Sequence, residues 1–586
     1  MADRTSPSEA GPTTFRNPVL RGFNPDPTIC AVPATDTTPT TYFLSTSTFN
    51  YFPGAAIYTS TDLINWTLIG HALTRRSQLD LRTAEPGAGS WASTLRYRGD
   101  EKRFYLANGL FHRYRPADDE RIFPRGFYVW TDNIWDGNAW SDPVYFDNPG
   151  FDQDLFWDDA CSPPKVYLST THRLANRPAN STLKDFAIHI SEIDLPSGRT
   201  LTPPVVIRQS PHGIAEGSHI IRRGDWYYLF TAEGGTEAGH QEWVFRSRDG
   251  PLGPWEGTGK PLWYNGPDEE VQRTGHADVF EDGQGRWWAV LLGVRPLKVR
   301  EKWVEPQLGR ETFLVKVDWV DDWPIFNNGK NIGIVTEGRD SVVQAVTAQG
   351  GALWQADLTK DDLELGWYQK HTPLKKQYTL TERPGYLRLY GNCYSLSSPE
   401  SPAMLLRKQT SFTDCFECKM HFNPSRSGYE AGVVLWWSEF SYCTVGVRLE
   451  YQPGVTTSLR PVFVRSRKSP RMGAGIARGR NDVQASADGY EKRQYELKIQ
   501  CRYDHYWLSV AGLGVQDIRV EEFTAAPPVG ASFAGAMLGV YSFAKGEPVL
   551  DPADFSDISI EEKLDVEFRP EYPTPYMDQP SWYQLE

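Results

Sequence analysis

The sequence has few cysteines, no basic cluster, no long apolar run and almost no helical periodicity. Seven cysteines in 586 residues, an odd number without framework spacing, exclude a disulfide-stapled scaffold and point to free thiols in a reducing compartment. Cys415 and Cys418 form a CxxC, but they lie in a strand-like segment that turns them to opposite faces, and no second pair completes a zinc site. No stretch approaches the roughly 20 apolar residues of a membrane-spanning helix, so no membrane partner is expected. Asp and Glu outnumber Lys and Arg by 74 to 61, for a net charge of -13, and no nucleic-acid partner is expected. The opening residues Met1 to Ala10 are polar and lack the apolar segment of a secretory signal. They predict a cytoplasmic protein, secreted only if a signal was removed.

What is abundant is aromatic and turn-forming. Phe, Trp and Tyr make up 13%, beside 50 Gly and 43 Pro, a balance that favours an all-β chain with many turns and suits a surface that handles sugars. Five short aromatic strands recur every ~60 residues, at Thr41–Leu44, Arg103–Leu106, Lys165–Leu168, Asp225–Leu229 and Arg286–Val290. After most of them comes a second segment of period 2, as at Tyr128–Asp132 and Val244–Arg248. Small antiparallel sheets of this kind cannot bury both faces alone, which predicts a five-bladed β-propeller over residues 15–325, after a polar N-terminal extension at 1–14. The repeat fades near Phe326. A linker is expected over 326–350 and a β-sandwich over 351–586, ending in a Pro- and Tyr-rich tail from Arg569.

In a propeller, equivalent positions of successive blades converge on one axis. The segments just ahead of the five aromatic strands contain Asp26, Ser90 and Trp91, Asp152 and Asp154, Glu216 and His219, and His276 and Asp278. Carboxyls gathered in one cleft push their pKa values apart. One protonated and one ionised carboxyl on opposite sides of a pocket are the equipment for hydrolysing a glycosidic bond. Asp26 and Glu216 come from non-adjacent blades, which leaves room for a water, and Asp152 then serves to hold Glu216 protonated. Singly, each has a plainer reading as a turn or loop residue; it is their recurrence in register that favours chemistry. Arg295, in Gly293–Pro296, is a candidate for the pocket rim, with a surface salt bridge as the alternative. His219, His240, Trp226, Trp436 and Trp437 read as hydrogen-bonding or packing residues.

These residues also carry a resemblance. Asn17–Leu20 with Gly22–Pro27 resembles the opening of glycoside hydrolase family 43, and Ser47–Phe49 with Phe52–Gly54 resembles its β-xylosidase branch. Asp62–Trp66, Ala232–Thr236, Gly275–Ala277, Leu308–Thr312 and Arg383–Gly391 extend the resemblance over nearly the whole chain. It implies an inverting exo-glycosidase that releases xylose from the non-reducing end of β-1,4-xylooligosaccharides, with α-L-arabinofuranosidase side activity. It further implies Asp26 as general base, Glu216 as general acid and Asp152 as pKa modulator. Phe49 and Trp91 resemble the walls of the sugar pocket, and Arg310 the residue binding sugar hydroxyls. His276 resembles an axial histidine that in some members touches a calcium or water. No cofactor is required; the metal it allows is a structural calcium near the axis.

Two departures from the pattern, Ser93 and Ser218 where proline is usual, are expected to loosen loops beside the site. The partner expected is a xylooligosaccharide or an arabinoxylan-derived oligosaccharide, with a homo-oligomer left open. Within the class, the rival is a dedicated arabinofuranosidase that strips arabinoxylan side chains. From other classes come a non-catalytic carbohydrate-binding propeller and a protein-interaction scaffold. The three carboxylates in register argue against the binding propeller, and a scaffold has no need of acids at its axis. The sandwich is expected to shape the mouth of the site without supplying a catalytic group.

Overall fold

The computed structural model describes residues 14–82, 84–111, 124–176, 184–299, 302–339, 352–450, 458–467, 494–511, 514–524 and 533–563. Most of the expected N-terminal extension and the Pro- and Tyr-rich tail lie outside them. Five antiparallel sheets follow one another from Thr28 to Phe326. The first blade is built from Thr28–Val32, Thr41–Thr46, Gly54–Ser60 and Thr67–Leu73. The others begin at Gly89–Arg98, Phe151–Asp158, Ala215–Arg223 and Gln272–Glu281, and these four strands and Thr28–Val32 pack side by side in a closed ring.

The aromatic strands are therefore second in each blade, and the segments ahead of them are themselves the innermost strands. The second strands read as continuous apolar runs because both of their faces are buried between blades. In Trp226–Glu233, Tyr227 and Leu229 pack toward the third blade beside Phe156 and Tyr167, while Tyr228 and Phe230 pack toward the fifth beside Val279 and Ala289. Truncating one such ring, as in Phe230→Ala, costs about 3–5 kcal/mol.

The innermost strands escape period 2 for a different reason. Their registers slip between Ser90 and Ser93, Phe151 and Asp154, Glu216 and His219, and twice between Gln272 and Asp278. Asp152, Gly217 and His276 lie within these slips with positive φ, as does Asp26 just before the first inner strand. Bulges of this kind re-aim side chains next to active sites. Ser93 and Ser218 lie on these strands and bridge neighbouring blades, Ser93 Oγ to Ser45 Oγ at 3.5 Å and Ser218 Oγ to Ser169 Oγ at 2.9 Å. They join blades where loosened loops were expected.

The ring is closed by the chain's own start. Thr14–Arg16 pairs with Val335–Glu337, and the Asn17 side chain makes a two-way rung with Leu314, donating to its carbonyl and accepting from its N–H. Residues 326–337, expected as the start of a linker, thus belong to the propeller: Asn265 also holds Ile332 through both side-chain amide atoms.

The C-terminal part is a two-sheet sandwich. In its strand Glu430–Ser438, Val433, Leu435 and Trp437 face the sandwich core while Val434 and Trp436 face the propeller with Tyr51 and Phe23. Trp436 and Trp437 are packing residues. Tyr51–Phe52 of the propeller pairs with Gln369–Lys370, so the two parts share main-chain hydrogen bonds. Gly309 approaches Ala534 so closely that an added Cβ would lie 2.6 Å from its carbonyl oxygen. Cys415 and Cys418 are both buried, and no disulfide joins any two of the seven cysteines.

Candidate active site

The bulged inner strands surround a cavity of about 310 Å³ at one end of the propeller axis. Asp26, Phe49, Trp91, Asp152, Glu216, His276 and Arg310, all expected from sequence, line it together. Arg295 does not. Its guanidinium is bound at two points to the buried Glu311, at 2.7 and 2.9 Å, and lies over Phe412. A buried carboxylate one residue past Arg310 captures it, so the rim position is withdrawn.

Asp26 accepts from Arg310 Nη1 at 2.7 Å, and His276 Nδ1 lies 3.7 Å from the same oxygen. The Asp26 backbone is anchored through Asn24. Its N–H donates to Arg310 O, its carbonyl accepts from Thr312, and its side-chain oxygen accepts from Lys408 Nζ at 2.7 Å and Tyr58 OH at 2.8 Å. Lys408 comes from the sandwich, and burial pushes its pKa down to about 7.

Asp152 Oδ2 accepts from Gly217 N at 2.9 Å, so the third blade grips the residue next to Glu216. Burial pushes Glu216 up to about 7; Lys184 at the cavity wall opposes this and Asp26 adds to it. Asp152 is raised well above the carboxylate range by burial, then by Glu216 and Asp26. Burial, rather than the charge on Asp152, is thus the main reason that Glu216 stays protonated. Burial also leaves His276 and His240 neutral, at about 3 and 4.

Phe49 and Trp91 form an aromatic wall. Trp91 packs on Phe111 and Phe151, with centroids 4.7 and 5.3 Å apart, and its indole N–H donates to Gly87 O. The wall is completed from the sandwich by Phe533, stacked on Phe49 at 5.6 Å. Sequence reasoning missed Phe533, Lys184, Thr236 and His240 as lining residues. Only Thr236, inside the quoted Ala232–Thr236 segment, and His240, near it, carried any local signal. Arg310 is buried, yet its Nε and Nη2 have no partner among the described residues. A guanidinium with two unused donors at a cavity wall is built to receive ligand oxygens.

No group of three or more His, Cys, Asp or Glu among the described residues is placed to hold a metal ion. Calcium asks for six to eight oxygen ligands. Asp26, beside His276, is already engaged by Arg310, and Asp278, two residues on, by Arg96. Among the described residues, the side chains around His276 do not supply a ligand set of that size.

Comparisons with known proteins agree with this geometry. Residues 15–324 match the family described as glycosyl hydrolases family 43, and residues 355–561 match the β-xylosidase C-terminal concanavalin A-like domain. A non-reducing end α-L-arabinofuranosidase of Bacteroides ovatus is 30% identical over 570 residues, 92% of this chain and 94% of that protein. A putative β-xylosidase of Escherichia coli is 31% identical over 76% of this chain and 81% of its own. The crystal structure of a xylan β-1,4-xylosidase from Bacillus halodurans superposes with a TM-score of 0.77 at 27% identity, covering 94% of this chain and all of the other. The propeller with its axial acids and the sandwich that closes over it thus have one common setting, and this chain belongs to glycoside hydrolase family 43.

Proposed function

We propose that the enzyme removes single xylose units from the non-reducing end of β-1,4-xylooligosaccharides by inversion, and also cleaves α-L-arabinofuranosides. The observation that carries this reading is the gathering of Asp26, Asp152 and Glu216, from three blades, in one cavity with Arg310. The cavity sits at the small end of ligand pockets, roughly 300–1,000 Å³, which suits a terminal sugar better than a threaded chain. In the proposed step, Asp26 takes a proton from a water whose oxygen bonds to the anomeric carbon. The bond from that carbon to the leaving oxygen breaks, and Glu216 gives that oxygen its proton. Asp26 ends protonated and Glu216 ionised, and exchange with solvent resets both. Asp152 orients Glu216 through Gly217, and the free donors of Arg310 take sugar hydroxyls.

The names of the relatives divide between xylosidase and arabinofuranosidase, and the similarity with the wider coverage is to the arabinofuranosidase. That supports a second reading, a dedicated α-L-arabinofuranosidase. Initial rates of nitrophenol release from the β-D-xyloside and the α-L-arabinofuranoside decide: higher kcat/KM on the xyloside is expected, and activity confined to the arabinofuranoside overturns it. Seven cysteines without a disulfide among them support a cytoplasmic location.

A further inference from the structure

Below the cavity, one guanidinium occupies the propeller axis. Arg96 donates through Nη1 to Asp278 Oδ2 at 2.8 Å and Thr28 Oγ1 at 3.4 Å, and through Nη2 to Asp154 Oδ1 at 2.8 Å and His219 Nδ1 at 3.1 Å. These partners belong to the fifth, first, third and fourth blades, and Arg96 to the second. Each also stands two or three residues beyond a cavity residue: Thr28 beyond Asp26, Asp154 beyond Asp152, His219 beyond Glu216, Asp278 beyond His276.

The same partners hold neighbouring backbones. Asp278 Oδ2 accepts from Ile29 N at 3.0 Å, Asp154 Oδ2 from Ile220 N at 2.9 Å, and Thr28 Oγ1 from Leu95 N at 2.9 Å. A shift of any inner strand along the axis therefore breaks a charge-assisted bond, the strong class of protein hydrogen bond. Arg96 does not line the cavity, so whatever it does for the chemistry passes through the strands it ties.

We propose that Arg96 is a positioning residue for glycoside cleavage: by joining the inner strands of all five blades at one side chain, it fixes the separation of Asp26 from the Asp152–Glu216 pair. The bulges that aim these carboxyls are points where an inner strand is free to slide, and the Arg96 bonds lie just beyond them. Inversion depends on that separation, because a water must fit between base and sugar. A displacement near 1 Å costs on the order of 100-fold in rate.

The proposal rests on the assignment of the carboxyls given above. The test uses full-length Arg96→Met and Arg96→Lys, with kcat and KM measured on whichever nitrophenyl glycoside the parent enzyme cleaves, and thermal unfolding followed in parallel. Arg96→Met is expected to fold, to lose about 100-fold in kcat with KM little changed, and to regain part of that loss in millimolar guanidinium. Arg96→Lys, a cation that reaches fewer partners, should fall between. A folded Arg96→Met with parental kcat overturns the proposal. So does a kcat loss that follows the unfolded fraction and gains nothing from guanidinium.

Should Arg96→Met fail to fold, Asp278→Asn carries the test, since it keeps the shape and removes one charge-assisted bond. A drop in kcat at unchanged KM and folded content is then expected, and unchanged kcat overturns the proposal. The underlying carboxyl assignment fails separately, if Asp26→Ala remains active.

Discussion

Two tiers of carboxyl groups lie along the propeller axis, two residues apart on the inner strand of the third blade at Asp152 and Asp154, and they meet opposite fates. In the upper tier, Asp152 is buried beside Glu216 and Asp26 and is driven toward the neutral form. In the lower tier, Asp278 is more deeply buried than Asp152, yet Arg96 and Thr28 hold it below the usual carboxylate range. Burial raises both; the neighbours decide the outcome. Arg96 bonds the lower carboxylates directly, whereas in the upper tier Arg310 is bonded to Asp26 and Asp152 has the single backbone donor Gly217 N, which is what lets a carboxyl of the Asp152–Glu216 pair keep a proton to donate. Buried charges with full partners hold a structure in place, whereas those deprived of partners are available for chemistry.

The largest effect that would sharpen this contrast is the loss of the base. Asp26→Ala should lower kcat by up to about 10,000-fold on every glycoside, activated aryl substrates included, because the attacking water always needs its base. Glu216→Ala should cost about 100- to 10,000-fold on xylobiose, whose leaving sugar needs a proton, and much less on a nitrophenyl glycoside. Equal losses on both substrates would remove Glu216 as the acid.

The tiers should also separate in stability. Asp278→Ala strips a partner from a buried guanidinium and should cost about 3–5 kcal/mol in denaturant unfolding. Asp152→Asn keeps an acceptor for Gly217 N and replaces a carboxyl already driven toward its neutral form, so it should be near neutral for stability while slowing turnover. Equal destabilisation at the two positions would erase the distinction.

In pH, the rate should fall about tenfold per unit above about 7, as Glu216 loses its proton. That limb should move in Asp152→Asn. The smallest effect concerns Lys408, whose pKa in the folded state is lowered to about 7. Between there and about 10.4 the unfolded chain binds the extra proton, so stability gains from this group as pH rises. Lys408→Met should flatten that part of the stability curve.

Much of this architecture was legible in the sequence because the second strands of the blades are buried on both faces and announce themselves as aromatic runs. The innermost strands did not, since their bulges at Asp152, Gly217 and His276 break the period-2 pattern. In the sequence they pass for segments leading into strands, although the register of the repeat marks their acids. Phe533 was invisible because it reaches the cavity from the other domain, more than 500 residues after Asp26, with no local pattern to mark it. Arg295 stays open in the sequence between a rim position and a salt bridge, because its partner Glu311 becomes its neighbour only when the second and third strands of the fifth blade pair. Arg96 escaped notice because an arginine on a strand ordinarily faces solvent.

The stereochemistry of the first product tests the central claim most directly, because it depends on Asp26 and Glu216 standing far enough apart for a water, roughly 6.5–9.5 Å, rather than at the 5–5.5 Å of a retaining pair. Proton NMR of β-xyloside hydrolysis, recorded before mutarotation, should show α-xylose appearing first. The appearance of β-xylose first, or transfer of xylose to added methanol, would establish a covalent intermediate and contradict the account, making Asp26 a nucleophile rather than a base.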